Sequence, residues 1–290
     1  MFDFTEPIIQ NVLHPTLQSF EIRLDVKRLD LIDPFISGNK WFKLKYNIEE
    51  ANRLNIKTLL SFGGAYSNHI YALAAAGKRF GIRTIGIIRG EETLPLNDTL
   101  KFATDCQMQL EYVSREKYRL KDNPEFKDEL LKTYGDVYII PEGGSNLLGV
   151  KGTVEILSER EINEYDIICC CCGTGATLSG ILIKLNGNKN ALGFSVLKGD
   201  FMKNAVDTIT YDYSGQLFEN YTINNHYHFG GYAKSNSELD SFIKTYTNTT
   251  LIPIEHVYTA KMFYGIMDLV NKGKFTPGTK ILAIHTGGLR

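Results

Sequence analysis

Residues 167–180, IICCCCGTGATLSG, join an apolar run to a glycine-rich loop and then to a helical pattern. The Ile and Cys run has the length of a short buried strand. Gly173-Thr174-Gly175-Ala176-Thr177 follows it directly, and the helical pattern begins at Ala176. Such a loop can bind phosphate, because the first N–H groups of a helix lack internal partners and carry partial positive charge. The stretch therefore predicts either a phosphate site or a plain strand-to-helix turn. It departs from G-x-G-x-x-G at Leu178.

The four adjacent cysteines, Cys169 to Cys172, could suggest a metal site. Metal ligands are spaced so that several side chains converge on one ion, whereas neighbouring residues of a strand point to opposite faces. The fifth cysteine, Cys106, is distant in sequence. We therefore interpret the run as small hydrophobic residues of a buried strand and predict no metal.

The composition is that of a globular protein. The chain has 290 residues, of which 43% are hydrophobic and 22% charged, enough for one large domain or two ordinary ones. Lys and Arg total 32 against 33 Asp and Glu, which favours neither nucleic acid nor a membrane surface as partner. No apolar run approaches the roughly 18 residues of a membrane span. The first 15 residues lack a basic, apolar leader, so we expect a cytoplasmic protein.

Apolar runs bounded by turn residues alternate with helical patterns along the chain. We predict strands at residues 58–62, 84–88, 110–113, 137–140, 167–172, 192–197 and 280–284, and helices at residues 68–80, 100–108, 126–134, 146–160, from 176 onward and at 261–271. This alternation predicts an α/β protein with parallel sheets. Residues 199–235 show no clear period and receive no assignment.

Lys40 lies in an unusual setting, SGNKWFKL at residues 37–44, between a Gly-Asn turn and the only tryptophan of the chain. Most lysines are solvated surface charges. A lysine held near apolar surface can lose its charge and act as a nucleophile or base. Lys43 and Lys45 are interpreted as exposed charges on a helix face.

Three further stretches place polar side chains beside glycines or at helix starts. In FGGAYSNH, residues 62–69, Ser67 or Asn68 can cap a helix or supply donors to a carboxylate. VYTAK, residues 257–261, opens a helix, and HTGG, residues 285–288, follows the last predicted strand. For both histidines of these stretches a hydrogen-bonded structural role is the simpler interpretation.

Six motifs occur in one order: SGNKWFKL, SFGGAYSNH, PEGGSN, GTGAT, VYTAK and HTGG. From about Leu29 to Leu289 the chain thus resembles the 1-aminocyclopropane-1-carboxylate deaminase and D-cysteine desulfhydrase family. These are pyridoxal 5'-phosphate enzymes of the tryptophan synthase β-subunit fold, fold type II. The resemblance implies two α/β domains with parallel-rich twisted sheets, a larger one of residues 1–43 and 152–290 and a smaller one of residues 44–151. Dimers are common in this family, so a homodimer is expected.

The resemblance also implies roles for individual residues. Lys40 would hold the cofactor covalently, Asn68 would bond its ring hydroxyl, and Thr259 would meet its ring nitrogen. The cofactor phosphate would bind to Gly173, Thr174, Gly175, Ala176 and Thr177. The substrate would meet Ser67, Asn68, His69, Tyr232 and Tyr258. The residues expected to act in catalysis are Lys40, Ser67 and Tyr258.

One departure from the family pattern bears on the reaction. The deaminases carry a glutamate where this chain has Thr259, and a hydroxyl leaves the ring nitrogen neutral and the electron sink weaker. That favours removal of an α-proton followed by loss of a β leaving group. We therefore predict an enzyme, a pyridoxal-phosphate-dependent lyase, that acts on a small amino acid and gives pyruvate, ammonia and sulfide from D-cysteine. The alternatives are ring-opening deamination, a serine or threonine dehydratase-like reaction, and a non-catalytic phosphate-metabolite binder.

Overall fold

The computed structural model describes residues 4–289. Its strands are β1 (Ile8–Asn11), β2 (Arg23–Arg28), β3 (Thr58–Gly64), β4 (Arg83–Arg89), β5 (Gln109–Val113), β6 (Tyr138–Ile140), β7 (Ile167–Cys172), β8 (Asn190–Ser195), β9 (Tyr221–Asn224) and β10 (Lys280–His285). Its helices are α1 (Pro15–Ser19), α2 (Asn39–Arg53), α3 (Asn68–Phe80), α4 (Asp98–Asp105), α5 (Arg115–Tyr118), α6 (Pro124–Tyr134), α7 (Leu147–Val154), α8 (Glu159–Glu164), α9 (Ala176–Leu185), α10 (Met202–Ser214), α11 (Ser237–Thr250) and α12 (Thr259–Asn271).

The chain divides by its internal contacts into two compact units. The first comprises the described part of Met1–Asn39 together with that of Thr153–Arg290, and the second is Lys40–Gly152. The domain limits predicted above stay a prediction. Within residues 4–289, no helix combines the length and hydropathy needed to cross a membrane.

The first unit is built on a six-stranded sheet in the order β1-β2-β10-β7-β8-β9. Its neighbours run parallel except β1 and β2, which are antiparallel. β7 lies inside the sheet, with Cys170 opposite both Ile284 and Gly193. A strand covered on both faces is apolar throughout, and Cys169 to Cys172 are at most 4% exposed. The prediction of a buried cysteine strand is confirmed, and all five cysteines are free thiols.

Helix α12 covers one face of this sheet. Cys169 and Cys171, two residues apart on β7, share a core cluster with Ala260, Phe263 and Ile266 of α12. The spacing of three between the last two residues places them on one face of the helix. This packing holds the start of α12, which carries the VYTAK motif, beside the end of β7, which leads into the GTGAT motif.

The second unit is built on a four-stranded parallel sheet in the order β5-β4-β3-β6. Leu60 and Phe62 of β3 pack with Ile85 and Ile87 of β4, and Phe126 from α6 covers the same cluster. All four strand residues alternate by two, as one face of a sheet requires.

The prediction of one helix over residues 146–160 is wrong. α7 ends at Val154, and Ser158 begins α8 with a capping box: its hydroxyl accepts from Glu161 N–H, and the Glu161 carboxylate accepts from Ser158 N–H. This S-x-x-E pattern starts a helix. Residues 199–235, left unassigned, contain α10 and β9.

Candidate active site

The loop between β7 and α9 has the geometry of an anion site. β7 ends at Cys172, α9 begins at Ala176, and Gly175 occupies the N-cap position with φ +86°. Glycine supplies no side-chain acceptor, and the helix N-terminus favours a negative charge. Thr174 is exposed, whereas Thr177 is 4% exposed. The five predicted phosphate-binding residues thus form the turn after β7 and the first two positions of α9.

Gly175 is required by packing as well as by its φ angle. A Cβ at this position would stand 3.1 Å from Val206 Cγ2, and Ile209 and Met202 lie just beyond. These side chains belong to α10, so the missing side chain lets α10 approach the loop. The sequence did not predict this reason for the glycine, because α10 lies in the segment without a clear period.

Gly173 allows a tyrosine to lie against the same loop. A Cβ on Gly173 would stand 3.0 Å from Tyr258 Cε1 and 3.4 Å from its hydroxyl oxygen. Side chains rarely approach so closely. The glycine therefore brings the predicted phosphate loop and the predicted substrate tyrosine together within the first unit.

Asn39 anchors the segment before Lys40 to the loop. Its side-chain amide donates to Thr177 Oγ1 at 2.9 Å, and both side chains are buried. The backbone N–H of Asn39 donates to the carbonyl oxygen of Thr286. Lys40 follows Asn39 directly in the chain, so the backbone leading into the lysine is held at two points. The sequence singled out the SGNK stretch but not this role of its asparagine.

Tyr258 and Tyr232 contact each other in the first unit. Their ring centroids are 5.9 Å apart at an interplanar angle of 75°, an edge-to-face arrangement. Burial raises the pKa of the Tyr258 hydroxyl well above its usual value, and the hydroxyl of Tyr232 bonded to it adds to the shift. Tyr258 therefore keeps its proton at neutral pH and can act as an acid but not as a base.

Thr259 is fully buried and hydrogen-bonded to Glu255. Its Oγ1 accepts from Glu255 N–H at 2.9 Å and lies 3.1 Å from Glu255 Oε1. The Glu255 carboxylate also accepts from the backbone N–H groups of Val257, Tyr258 and Thr259, so it caps α12. Glu255 gives no recognisable signal in the sequence, because a glutamate outside the N-cap position is not a usual start signal.

In the second unit, Lys40 and His69 share one neighbourhood. His69 is 2% exposed. Burial lowers its pKa well below the usual value, and the positive charges of Lys40 and Lys43 lower it further. Lys40 is partly buried, and Lys43 is only 3% exposed. The interpretation of Lys43 as an exposed helix-face charge is therefore wrong: the side of α2 that carries it is covered by Gly144 and His69.

The contacts of Ser61 assign a tautomer to the His69 ring. Ser61 Oγ lies 2.8 Å from His69 Nε2 and 2.7 Å from the carbonyl oxygen of Ile140. A hydroxyl has one proton. If it goes to the Ile140 carbonyl, Nε2 must donate to Ser61. Nδ1 then carries a lone pair, and among the described residues it has no hydrogen-bond partner. A buried acceptor without a partner is a place where a ligand can donate.

Ser67 and Asn68 begin α3, as the capping interpretation predicted. The Ser67 hydroxyl accepts from Ile70 N–H at 3.3 Å. Ile70 is fully buried, and Gly63 of β3 has Ile70 and Ser67 so close that no Cβ would fit. The Ser67-Asn68 turn is consequently held at the end of β3, where the first N–H groups of α3 face a possible anion.

His285 has a structural role. It is fully buried, its Nε2 lies 2.8 Å from the carbonyl oxygen of Pro253, and its Nδ1 accepts from Gly287 N–H at 3.3 Å. Asp30 Oδ1 is also 3.2 Å from Nδ1, which would be an ion pair only for a protonated ring. Burial lowers the pKa of His285 more than Asp30 raises it, so we assign the neutral ring.

These residues suit a cofactor that has a phosphate and an aldehyde. In the first unit, the glycine turn at the start of α9 offers an anion site. In the second unit, Lys40 offers an amine beside a neutral histidine. Among residues 4–289, no group of three or more His, Cys, Asp or Glu side chains is arranged to hold a metal ion. The donor set is one of hydroxyls, amides and a lysine.

Comparison with known proteins identifies the family. The sequence profile described as "Pyridoxal-phosphate dependent enzyme" matches residues 13–287. A protein of Pyrococcus horikoshii, provisionally named 1-aminocyclopropane-1-carboxylate deaminase, is 32% identical over 285 residues, which cover 93% of this chain and 86% of that protein. The mitochondrial bifunctional D-cysteine desulfhydrase/1-aminocyclopropane-1-carboxylate deaminase of Arabidopsis thaliana is 31% identical over 295 residues, covering 91% of this chain and 72% of the relative.

A solved structure agrees with the sequence relatives. A crystal structure described as the ACC deaminase homologue superposes with a TM-score of 0.85 at 28% identity and covers 98% of this chain and 90% of that one. The predicted α/β fold of type II and the predicted cofactor, pyridoxal phosphate, are confirmed. The chain therefore belongs to the pyridoxal-phosphate-dependent enzymes and is a relative of the 1-aminocyclopropane-1-carboxylate deaminases and D-cysteine desulfhydrases.

Proposed function

We propose that this enzyme is a lyase that removes a β leaving group from a small amino acid, with D-cysteine giving pyruvate, ammonia and sulfide. The observation that carries the proposal is Thr259, a buried hydroxyl at the start of α12 where a deaminase has a carboxylate. The oxygens of Glu255 behind it already accept three backbone N–H groups. The same carboxylate accepts from Thr259 Oγ1 at 3.1 Å, so the side chain at this position is a neutral hydroxyl and the carboxylate lies behind it.

Bound pyridoxal phosphate supplies an aldehyde that condenses with amines and a ring that withdraws electrons from the substrate α-carbon. Lys40 would hold the cofactor, and its amine, once released, would take the α-proton. The charge of His69 bears on that step. Because burial keeps His69 neutral, it adds no positive charge beside Lys40 and leaves its unpartnered Nδ1 as an acceptor.

Tyr258 would supply a proton to the departing group. Its raised pKa keeps the hydroxyl protonated, and its ring contacts Gly173 of the phosphate loop. A thiolate leaves readily because the pKa of a cysteine thiol is about 8.5. Ser67, Asn68 and His69 would bind the substrate carboxylate at the start of α3, and Tyr232 would face the side chain.

The deciding experiment is a product assay of the cofactor-loaded enzyme. We expect sulfide and pyruvate from D-cysteine, pyruvate from β-chloroalanine, and little α-ketobutyrate from 1-aminocyclopropane-1-carboxylate. L-Cysteine and D-serine test chirality and the quality of the leaving group. Rapid α-ketobutyrate formation without sulfide from either cysteine enantiomer would reject the proposal.

The second candidate is ring-opening deamination of 1-aminocyclopropane-1-carboxylate. It is favoured by the Glu255 carboxylate, 3.1 Å from Thr259 Oγ1, which places a negative charge one hydrogen bond behind the hydroxyl. The variant Thr259→Glu separates the two reactions. We expect Thr259→Glu to lower sulfide production from D-cysteine and to raise α-ketobutyrate production from 1-aminocyclopropane-1-carboxylate. Higher sulfide production with lower α-ketobutyrate production would instead favour the deaminase as the native activity.

The expected homodimer in the cytoplasm is also part of the proposal. Sedimentation equilibrium of the purified enzyme checks the dimer, and fractionation of cells that express it checks the compartment. A monomer at micromolar concentration would reject the homodimer but not the proposed reaction.

A further inference from the structure

Lys261 is a lysine whose side chain is completely buried. Lysines rarely occupy such positions, because removing an ammonium group from water costs several kcal/mol unless it is compensated. Lys261 lies in the first turn of α12, and its Nζ donates to two backbone carbonyl oxygens, those of His228 at 2.9 Å and Gly231 at 2.7 Å. Burial lowers its pKa to about 8, against the opposing charge of Glu255.

The turn that Lys261 binds has an unfavourable backbone conformation. Phe229 has φ 50°, Gly230 91°, Gly231 116° and Ala233 54°. A left-handed conformation is unfavourable for a residue with a Cβ, and Phe229 and Ala233 adopt it on either side of the glycines. This backbone therefore needs external support to remain in place.

The internal hydrogen bonds of the turn use the same two carbonyl groups. Gly231 N–H donates to the His228 oxygen at 3.0 Å, and Lys234 N–H donates to the Gly231 oxygen at 3.1 Å. A carbonyl oxygen has two lone pairs, so Lys261 occupies the second one of each. Hydrogen bonds from an ammonium are stronger than neutral ones, and they connect the turn to α12.

The residue directly after this turn is Tyr232, which is 40% exposed and contacts Tyr258 edge to face. Tyr258 is the N-cap residue of α12, three residues before Lys261 in the chain. The helix start thus meets the turn twice, through the Lys261 amine and through the Tyr258 ring. The position of Tyr232 follows from both contacts.

We propose that Lys261 is a positioning residue that holds the 228–231 turn against α12, so that Tyr232 meets Tyr258 and the two rings bind the amino-acid substrate. The effect on the substrate rests on the proposed function, in which both tyrosines face that substrate. The effect on the turn rests only on the contacts of Lys261. No role in proton transfer is assigned to it.

The test compares the cofactor-loaded wild type with Lys261→Met and with Lys274→Met, a control at an exposed lysine of the same unit. Hydrogen–deuterium exchange is measured on peptides that cover residues 226–236. We expect exchange at Gly231 and Lys234 to become about tenfold faster in Lys261→Met, the factor for losing about 1.4 kcal/mol of local stability. Peptides from β7 and the cofactor absorption spectrum should be unchanged.

Steady-state kinetics then test the link to the substrate. In Lys261→Met we expect KM for D-cysteine to rise about tenfold, with kcat within about threefold of wild type. Lys261→Gln keeps two N–H donors and should restore part of the exchange protection and of KM. This variant also serves if Lys261→Met does not fold.

Each result has a separate meaning. Unchanged hydrogen–deuterium exchange at residues 226–236 in both Lys261→Met and Lys261→Gln would overturn the proposed support of the turn. Faster exchange with an unchanged KM would overturn the positioning of the substrate. If the wild type does not turn over D-cysteine, the proposed function fails, but the exchange measurement still decides whether Lys261 holds the turn.

Discussion

Replacing Gly175 with alanine should destabilise the first unit through two separate effects. The φ of +86° costs a residue with a Cβ about 1–2 kcal/mol. The new Cβ would stand 3.1 Å from Val206 Cγ2, and overpacking of this kind costs about 1–3 kcal/mol. We therefore expect the free energy of unfolding to fall by about 2–5 kcal/mol, the sum of the two contributions. Urea denaturation followed by circular dichroism measures the loss.

Gly187→Ala is the matched control for the backbone contribution. Gly187 has φ +80°, and a Cβ there would meet nothing within 4 Å. Its substitution should cost only the backbone part, about 1–2 kcal/mol. Equal losses for the two variants would refute the packing argument against α10. Because the turn at the start of α9 also shifts in Gly175→Ala, we expect its dissociation constant for pyridoxal phosphate to rise, while that of Gly187→Ala stays at the wild-type value.

Three further predictions concern lysines and a cysteine. Lys40→Ala should lose the visible cofactor band, turnover and borohydride trapping of the cofactor, while its far-ultraviolet circular dichroism stays that of the wild type. The control Lys57→Ala, at an exposed lysine, should keep all three properties. Borohydride trapping retained in Lys40→Ala would show that another lysine holds the cofactor. Lys261 has a pKa of about 8 in the folded protein and about 10.4 when unfolded, so the unfolded chain binds more protons between these values and stability should rise with pH there. Urea titrations at pH 7.5 to 10 should show this slope in wild type and not in Lys261→Met; equal slopes would contradict it. Cys170→Ser should lose about 1–3 kcal/mol of stability, the cost of a buried hydroxyl with incomplete hydrogen bonding, and keep its cofactor content; loss of bound zinc in this variant would instead indicate a metal site.

The sequence was sufficient where the information is local. The cysteine run was correctly assigned to a buried strand because metal ligands cannot be adjacent on a strand, and Ser67 was a recognisable helix cap. The alternation of strands and helices identified the α/β class, and the order of the six motifs identified the family. These features depend on neighbouring residues or on motif order, which a sequence displays directly.

The sequence failed where a residue is defined by distant neighbours. Lys43 looked like a solvated charge, but Gly144 and His69 cover it. The 228–231 turn showed no pattern because it is supported by Lys261, a residue about 30 positions away, and not by its own periodicity.

The sequence by itself therefore determined the fold class, through the alternation of strands and helices, and the order of its six motifs identified the family and with it the cofactor and the candidate residues. Only the tertiary structure decided which side chains support those candidates. Glu255 behind Thr259, Asn39 on Thr177 and Lys261 under the 228–231 turn are all contacts made by folding. Burial also sets the protonation of two candidate residues, because it keeps His69 neutral and Tyr258 protonated. This desolvation depends on the folded surroundings of each side chain, so no sequence pattern predicts it.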